Sequence, residues 1–338
     1  MKNKQDNFRK PSQKKPFHHG RWRFRNLPNP DLTHGTRREY VSFLRKMLTF
    51  QNERVDIPEG HVIPQDLAAE HMHKHLNSDQ DSLTWLGQAC FLIKIDGITI
   101  LTDPYLTDFA SPTPFAGPKR FVASGINLKD LPSIDYLLLS HNHYDHLDSK
   151  TIHQMKERRD MTIVTPLKLG SYFKRRGFKK VVEMDWWDSL NANGVAVHAL
   201  PSQHWSKRTL LDRNKSLWAS FSIHGKNNKL YFAGDTGYAP LFKDIGKEYG
   251  PFDYALVGIG AYEPQILMKP HHTTPEEAVK IGEDVRSRTL VAMHWGTVRL
   301  TLEPLFEPPG RFTQAAAKAG YDETQSWVMS IGESRPLI

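Results

Sequence analysis

Six consecutive residues, His141-Asn142-His143-Tyr144-Asp145-His146, restrict this chain more than any other stretch. They directly follow the apolar run Tyr136-Leu137-Leu138-Leu139-Ser140, which reads as a strand. A strand that ends in His-x-His-x-Asp-His turns as it leaves its sheet, so alternate side chains point two ways. Two imidazoles are then presented to one metal ion and an Asp-His pair to a second. A fold that uses this turn has to bring further ligands to the same sheet edge.

Three other segments are placed to do so. Pro201-Ser202-Gln203-His204-Trp205 follows a strand pattern, Gly234-Asp235-Thr236-Gly237 follows another, and His294-Trp295-Gly296 ends a third. Ligands of α/β sheets gather at the carboxyl ends of strands. A lone histidine in any one of these places is usually a packed or hydrogen-bonded residue. Four such segments in this order, each after a strand, point to a dinuclear site.

The intervening pattern is α/β. Strands are expected at 83–87, 91–95 and 99–101, with Asp96-Gly97 as the hairpin turn between the last two. Helices at 150–158 and 168–176 alternate with strands at 162–165 and 180–184, as in parallel sheet with crossover helices. Further strands are expected at 195–200, 218–224, 230–234, 254–257, 289–293 and 327–331, and further helices at 37–50, 275–285 and 311–318. The organisation read from this is a basic, flexible tail (1–35), a helical extension (36–79) and a catalytic domain (80–338). The proline-rich loop at 105–122 is too long for a plain connector and suits a lid or substrate wall.

Several residues carry two readings. Asp103 before Pro104 can orient a ligand histidine from behind, since metal-bound imidazoles donate their other nitrogen to a carboxylate or carbonyl, and it can also form the turn. Tyr144 either faces the pocket or packs. Trp186 and Trp187 are adjacent and, on a strand, would point opposite ways, leaving at least one in the core. His71 and His75 lie one helical turn apart, yet without a carboxylate partner they read as an exposed helix face.

Composition limits what the site can belong to. The 338 residues, 39% of them hydrophobic, suffice for one large domain with an extension. No apolar stretch approaches the roughly 18 residues that span a bilayer, and no apolar signal-peptide core follows the N-terminal charges, so a cytoplasmic protein is expected, peripheral at most to the inner membrane face. The one cysteine, Cys90, excludes an intramolecular disulfide and a multi-cysteine zinc cluster, so any metal must be held by His and Asp. Residues 1–25 hold nine Lys or Arg against one Asp, which accounts for the whole net charge of +8. Interleaved with Phe8, Phe17, Trp22 and Phe24, these charges suit an anionic partner, lipid headgroups or nucleic acid; the plainer reading is a solubilising disordered tail.

His141, His143, Asp145, His146, His204, Asp235 and His294 together resemble the ligand set of the metallo-β-lactamase superfamily. The resemblance narrows through Thr84-Trp85-Leu86-Gly87, Leu101-Thr102-Asp103-Pro104, Gly117-Pro118-Lys119-Arg120-Phe121, Gln203-His204-Trp205, Ala233-Gly234-Asp235-Thr236-Gly237-Tyr238, Pro275-Glu276-Glu277-Ala278 and His294-Trp295-Gly296-Thr297. These look like the N-acylphosphatidylethanolamine-hydrolysing phospholipase D family over about residues 80 to 310. The resemblance implies a four-layer αβ/βα sandwich with two metals along one edge. His141, His143 and His204 would hold the first metal, Asp145, His146 and His294 the second, and Asp235 would bridge them. His272 matches a family histidine close to the metals; Thr274 departs from the family's Asp, though either residue can cap the next helix. The tail and residues 36–79 match poorly, so the family's membrane-docking and dimer surfaces do not carry over directly; a homodimer is compatible with the resemblance.

Imidazole and carboxylate without thiolate suit Zn²⁺, and also Fe, Mn or Ni. Two cations sharing Asp235 would lower the pKa of a shared water from about 16 toward 7. Asp145, Asp235 and His272 are the candidate catalytic groups, His272 by stabilising developing charge or protonating the leaving oxygen, or by a hydrogen bond from behind; Tyr144 and His272 are the candidate substrate contacts. Three functions follow. A phosphoric diester hydrolase of phospholipase D type would cleave N-acylphosphatidylethanolamine-like lipids to phosphatidate and N-acylethanolamine. A lactone or carboxylic-ester hydrolase would use the same hydroxide on carbon. A nucleic-acid or membrane-binding protein would keep its metals as structure, a reading that the seven-residue ligand set disfavours.

Overall fold

The Asp96-Gly97 turn behaves as its sequence requires. Both residues have positive φ, 48° and 79°, and they reverse the chain between two antiparallel strands. The computed structural model describes residues 16–30, 32, 35–50, 54–113, 115–155 and 160–338. Helices α1 (Arg37–Phe50) and α2 (Gln65–Leu76) precede the first sheet. Strand β1 (Ser82–Gly87) pairs antiparallel with β2 (Cys90–Ile95), and β2 pairs with β3 (Ile98–Thr102) through that turn. Strands β4 (Tyr136–Leu138), β5 (Thr162–Pro166) and β6 (Lys180–Met184) then add in parallel, with α3 (Ser149–Gln154) and α4 (Gly170–Lys174) in the crossovers.

The second sheet begins with β7 (Ser189–Ala192), β8 (Val195–Leu200), β9 (Ser220–His224) and β10 (Lys229–Phe232), all antiparallel. Helix α5 (Leu241–Glu248) leads to β11 (Phe252–Gly258), parallel to β10. Helices α6 (Gln265–Met268) and α7 (Pro275–Asp284) lead to β12 (Ser287–Met293), and α8 (Glu307–Lys318) to β13 (Ser326–Trp327), both parallel additions. Strand β14 (Ser334–Pro336) returns to the first sheet beside β1, so each sheet has seven strands among the described residues.

Side-chain alternation builds the layers. Tyr136 and Leu138 of β4 enter the core between the sheets, while Leu137 and Leu139 join Met72 of α2, Ile152 of α3 and Phe173 of α4 on the outer face. Phe91 and Ile93 of β2 take the inner side, and Cys90 and Leu92 the outer. Beyond the second sheet, Phe242 of α5, Ile281 of α7 and Phe312 of α8 complete the fourth layer. The result is the expected αβ/βα sandwich, and strands buried on both faces explain the unbroken apolar runs.

The differences from expectation have local causes. Residues 16–30 of the expected flexible tail are laid against the domain: His18 is buried, stacks on Trp186 at 4.2 Å and hydrogen-bonds Asp185 at 2.7 Å. Residues 1–15, with most of the tail's charge, lie outside the described residues. Trp186 and Trp187 sit in a turn rather than on a strand, because Asp185 and Asp188 cap it and Trp187 has φ 75°. Trp186 is core and donates its indole N–H to Trp218 O; Trp187 is 40% exposed. The strand expected at 327–331 stops at Trp327, since Ile331 pairs with His61 and Ile63 instead. Helix α4 starts late because Lys168 has φ 71°, and α8 starts early because Pro308 and Pro309 fit a first turn, where no amide proton is required. The end of the helix expected at 150–158 falls partly on undescribed residues 156–159. His71 lies on the exposed side of α2, opposite buried Met72. No helix of the described residues is long and apolar enough to cross a membrane.

Thr274 caps α7 with a capping box: its hydroxyl accepts from Glu277 N while Glu277 accepts from Thr274 N. Thr274→Ala is expected to lower unfolding stability by about 1 kcal/mol, measured by chemical denaturation; an unchanged midpoint would contradict it.

Candidate metal centre

Strand ends place every residue that the sequence singled out as a ligand. The motif turn follows β4, closed by Leu147 N donating to His143 O at 2.8 Å, and sits at the carboxyl edge of the first sheet. His204 follows β8, Asp235 follows β10 and His294 follows β12, all at the facing edge of the second. Gly234 lets the two edges meet: it has φ 56°, and a Cβ there would lie 2.6 Å from Ser140 Cβ.

The donor atoms form two groups. His141, His143, His204 and Asp235 make one, Asp145, His146, His294 and Asp235 the other, with all atoms of each group within 4.8 Å of one another. Asp235 belongs to both. Its Oδ2 lies 3.8 Å from His141 Nε2, 3.7 Å from His204 Nε2 and 3.0 Å from His146 Nε2, and its Oδ1 lies 3.2 Å from His294 Nε2. His143 turns its Nδ1 inward, 2.8 Å from His141 Nε2 and 3.2 Å from His204 Nε2. Buried His146 Nε2 faces two carboxylates, Asp235 Oδ2 at 3.0 Å and Asp145 Oδ2 at 3.4 Å. Converging imidazole nitrogens with too few protons to share, beside ionised carboxylates, fit divalent cations.

The outward nitrogens are held. Fully buried Asp103 accepts from Ser140 N at 2.7 Å, from Ser140 Oγ at 2.5 Å and from His146 Nδ1 at 2.7 Å. Because Ser140 Oγ spends its proton on Asp103, it accepts from His141 Nδ1 at 2.8 Å. His204 Nδ1 donates to His271 O at 2.9 Å. Each contact occupies the outward nitrogen and turns Nε2 toward the centre, the orientation that a metal ligand needs.

Burial and charge divide the histidines. Burial holds His141 and His204 well below the ordinary range, aided by neighbouring imidazoles, and pulls His143 and His272 down to about 3. Burial also acts on His294, but Asp235 and Asp145 overcome it and push that group up to about 9; His146 is raised for the same reason. Asp145 and Asp235 pay desolvation too, yet His146 and His294 keep both well below the carboxylate range.

His272 lies beside the centre, its Nδ1 3.9 Å from Asp235 Oδ2 and its ring 5.4 Å from that of His294. Tyr144 packs with Tyr105, Ala110, Val298 and Leu300, and its hydroxyl donates to Arg208 O at 2.9 Å. The loop at 105–122 is tied down by buried Arg120, which donates to Tyr105 O at 2.7 Å, while Phe115 stays exposed. Gln88 is the site residue that sequence reasoning missed. It is buried, has φ 54°, and its amide Nε2 lies 2.9 Å from both Asp145 Oδ2 and His294 Nε2. The signal was its place directly after Trp85-Leu86-Gly87, one residue beyond a motif already noted.

Protons and cations compete for this centre. With its pKa pushed up to about 9, His294 carries a proton at pH 7 that a cation held there would have to displace. Affinity for Zn²⁺ is expected to climb as pH rises from about 6 toward 9, with proton release visible by calorimetry in buffers of different ionisation enthalpy. Identical heats in those buffers would contradict the assignment.

Comparison with known proteins agrees with this geometry. The profile of the Beta-lactamase superfamily domain matches residues 99–295. A Caenorhabditis elegans protein named N-acyl-phosphatidylethanolamine-hydrolyzing phospholipase D 1 is 38% identical over 263 residues, covering 74% of each chain. A Saccharomyces cerevisiae protein named N-acyl-phosphatidylethanolamine-hydrolyzing phospholipase D, mitochondrial, is 38% identical over 247 residues, 71% of this chain and 53% of its own. Among solved structures, a metallo hydrolase from the archaeon Ignicoccus hospitalis shares the fold, with TM-score 0.58 and 23% identity over 76% of this chain and 97% of its own. The chain belongs to the metallo-β-lactamase superfamily and is a metal-dependent hydrolase resembling the N-acylphosphatidylethanolamine-hydrolysing phospholipase D family.

Proposed function

We propose that this protein is a dinuclear phosphodiesterase of phospholipase D type, acting on N-acylphosphatidylethanolamine-like lipids. The observation that carries the reading is Asp235, one carboxylate common to both donor groups. His141, His143 and His204 would hold one cation and Asp145, His146 and His294 the other, with Zn²⁺ the proposed metal. Two cations held there would supply hydroxide at neutral pH and polarise the phosphoryl group. The relatives' names support the lipid substrate.

The chain's own residues account for the rest of the chemistry. The reaction breaks the bond between phosphorus and the headgroup oxygen; water gives OH to phosphorus and its other proton to the departing alcohol. Phosphatidate and N-acylethanolamine result. His272 is neutral at pH 7, held down to about 3 by burial, so it acts as an N–H hydrogen-bond donor to a phosphoryl or leaving oxygen rather than as a protonated acid. Gln88 donates to Asp145 Oδ2 and holds that carboxylate's orientation. Tyr144, whose hydroxyl is already engaged, would meet substrate through its ring. Contact with a membrane surface is supported by Trp22, 78% exposed beside Arg21 and Arg23, on the segment that continues the basic tail.

The test is a mass-spectrometric product assay on metal-loaded protein with an N-acylphosphatidylethanolamine in mixed micelles. Asp235→Asn is expected to lose at least about a thousandfold in kcat. Phosphatidate together with N-acylethanolamine supports the reading; no turnover with both metals bound rejects this substrate, and a carboxylate product from a lactone would move the assignment to ester hydrolysis. His272→Gln, which keeps a donor, is expected to retain more activity than His272→Ala, for which a loss of roughly a hundredfold is expected. Equal losses would rule out the donor role.

A further inference from the structure

Residues 16–30 run across the segments that carry the proposed ligands. Phe24 N donates to Asn214 O at 2.7 Å, in the loop after His204, and Asn29 Nδ2 donates to Tyr238 O at 3.0 Å, three residues beyond Asp235. Between them, Asn26 Nδ2 donates to His204 O at 2.9 Å while Asn26 Oδ1 accepts from His204 N at 3.1 Å. Both backbone groups of one residue are paired with one amide. We propose that Asn26 is a positioning residue for His204, so that the N-terminal segment is part of the framework of the metal centre. The inference rests on the reading of His204 as a metal ligand.

The amide can sit only one way round. Its Oδ1 also accepts from Trp218 Nε1 at 3.0 Å, so a flipped amide would set its NH₂ against two N–H groups and its oxygen against a carbonyl. Trp218 Nε1 is itself fixed by a second contact to Ser202 O at 3.0 Å. His204 lies outside regular secondary structure, so nothing in the sheet satisfies its backbone. Its neighbour is pinned from the opposite side, where Gly237 N donates to Gln203 O at 2.8 Å and Gln203 N to Thr236 Oγ1 at 2.8 Å. With the ring fixed through Nδ1 to His271 O, Asn26 supplies the remaining restraint on where Nε2 points.

The segment is anchored on both sides of Asn26. His18 Nε2 and His19 Nε2 each lie 2.7 Å from a different oxygen of Asp185, with His18 stacked on Trp186, and Asn29 fastens the far side. The amide is therefore delivered to His204 by a strap tied independently of it. A rival account makes Asn26 one more fastener of the strap, which predicts a loss of stability with an unaltered metal centre.

Cobalt titration of the full chain, followed by visible absorption, separates the two accounts without using any substrate. Wild type is expected to bind two Co²⁺. In Asn26→Ala one equivalent is expected to bind ten- to a hundredfold more weakly with a shifted visible band, the other unchanged. Asn26→Gln keeps the amide on a longer stem that cannot form the reciprocal pair, and is expected to weaken the same equivalent, so the test survives misfolding of the alanine variant. His18→Ala loosens the strap away from His204 and is expected to lower the melting temperature with wild-type cobalt binding. Wild-type binding of both equivalents in either Asn26 variant overturns the inference. Absence of cobalt uptake by the wild type overturns the ligand assignment of His204, and this inference with it.

Discussion

The centre depends on one buried carboxylate that touches no expected metal position. Asp103 directly follows β3, has φ 31°, and is wholly excluded from solvent. A charge there is tolerable only if its oxygens are satisfied, and three donors from the next strand's end do so. Those donors are Ser140 and His146, on either side of the ligand turn. The contact that makes Asp103 affordable also fixes His146 directly and His141 through Ser140 Oγ. Pairing of β3 with β4 is thus coupled to the aim of two imidazoles, and the sheet cannot slip without disarranging the site.

The same coupling recurs on the second sheet with neutral partners. His204 is held through His271 O and through backbone contacts, with no carboxylate behind it. The electrostatics follow that asymmetry. His146 and His294, close to Asp145 and Asp235, are raised, while His141, His143 and His204 are depressed chiefly by burial. One half of the centre has its lone pairs free, and the other would have to give up protons to a cation. The two proposed sites, built from similar side chains, would therefore differ in how strongly pH opposes their loading.

Much of this was legible in the sequence, because the site follows a local rule. Candidate ligands at strand ends leave a dense cue, as in residues 141–146, and Asp96-Gly97 and Pro275 mark elements with little ambiguity. What was not legible depends on long-range packing. Helix α5 and strand β7 are short and gain their definition from the second sheet. The last strand ends at Trp327 because Ile331 prefers a partner some 270 residues earlier in the chain, at His61 and Ile63. Gln88 escaped notice because a glutamine carries no metal signal; its role appears only when Asp145 and His294 converge on it.

The described part of the N-terminal segment shows what composition does not announce. Its arginines and prolines have the character of a disordered tail, and each taken alone would remain so. Order comes from a few polar residues, His18, His19, Asn26 and Asn29, whose partners lie more than 150 residues away. Such contacts carry no periodicity, so no hydropathy pattern can announce them. They also fall on the loops that hold His204 and Asp235 rather than on the sheets, and those loops lack ladders of their own. A centre assembled from strand ends has rigid strands but weakly tethered loops, and the polar strap supplies hydrogen bonds where the sheets stop supplying them.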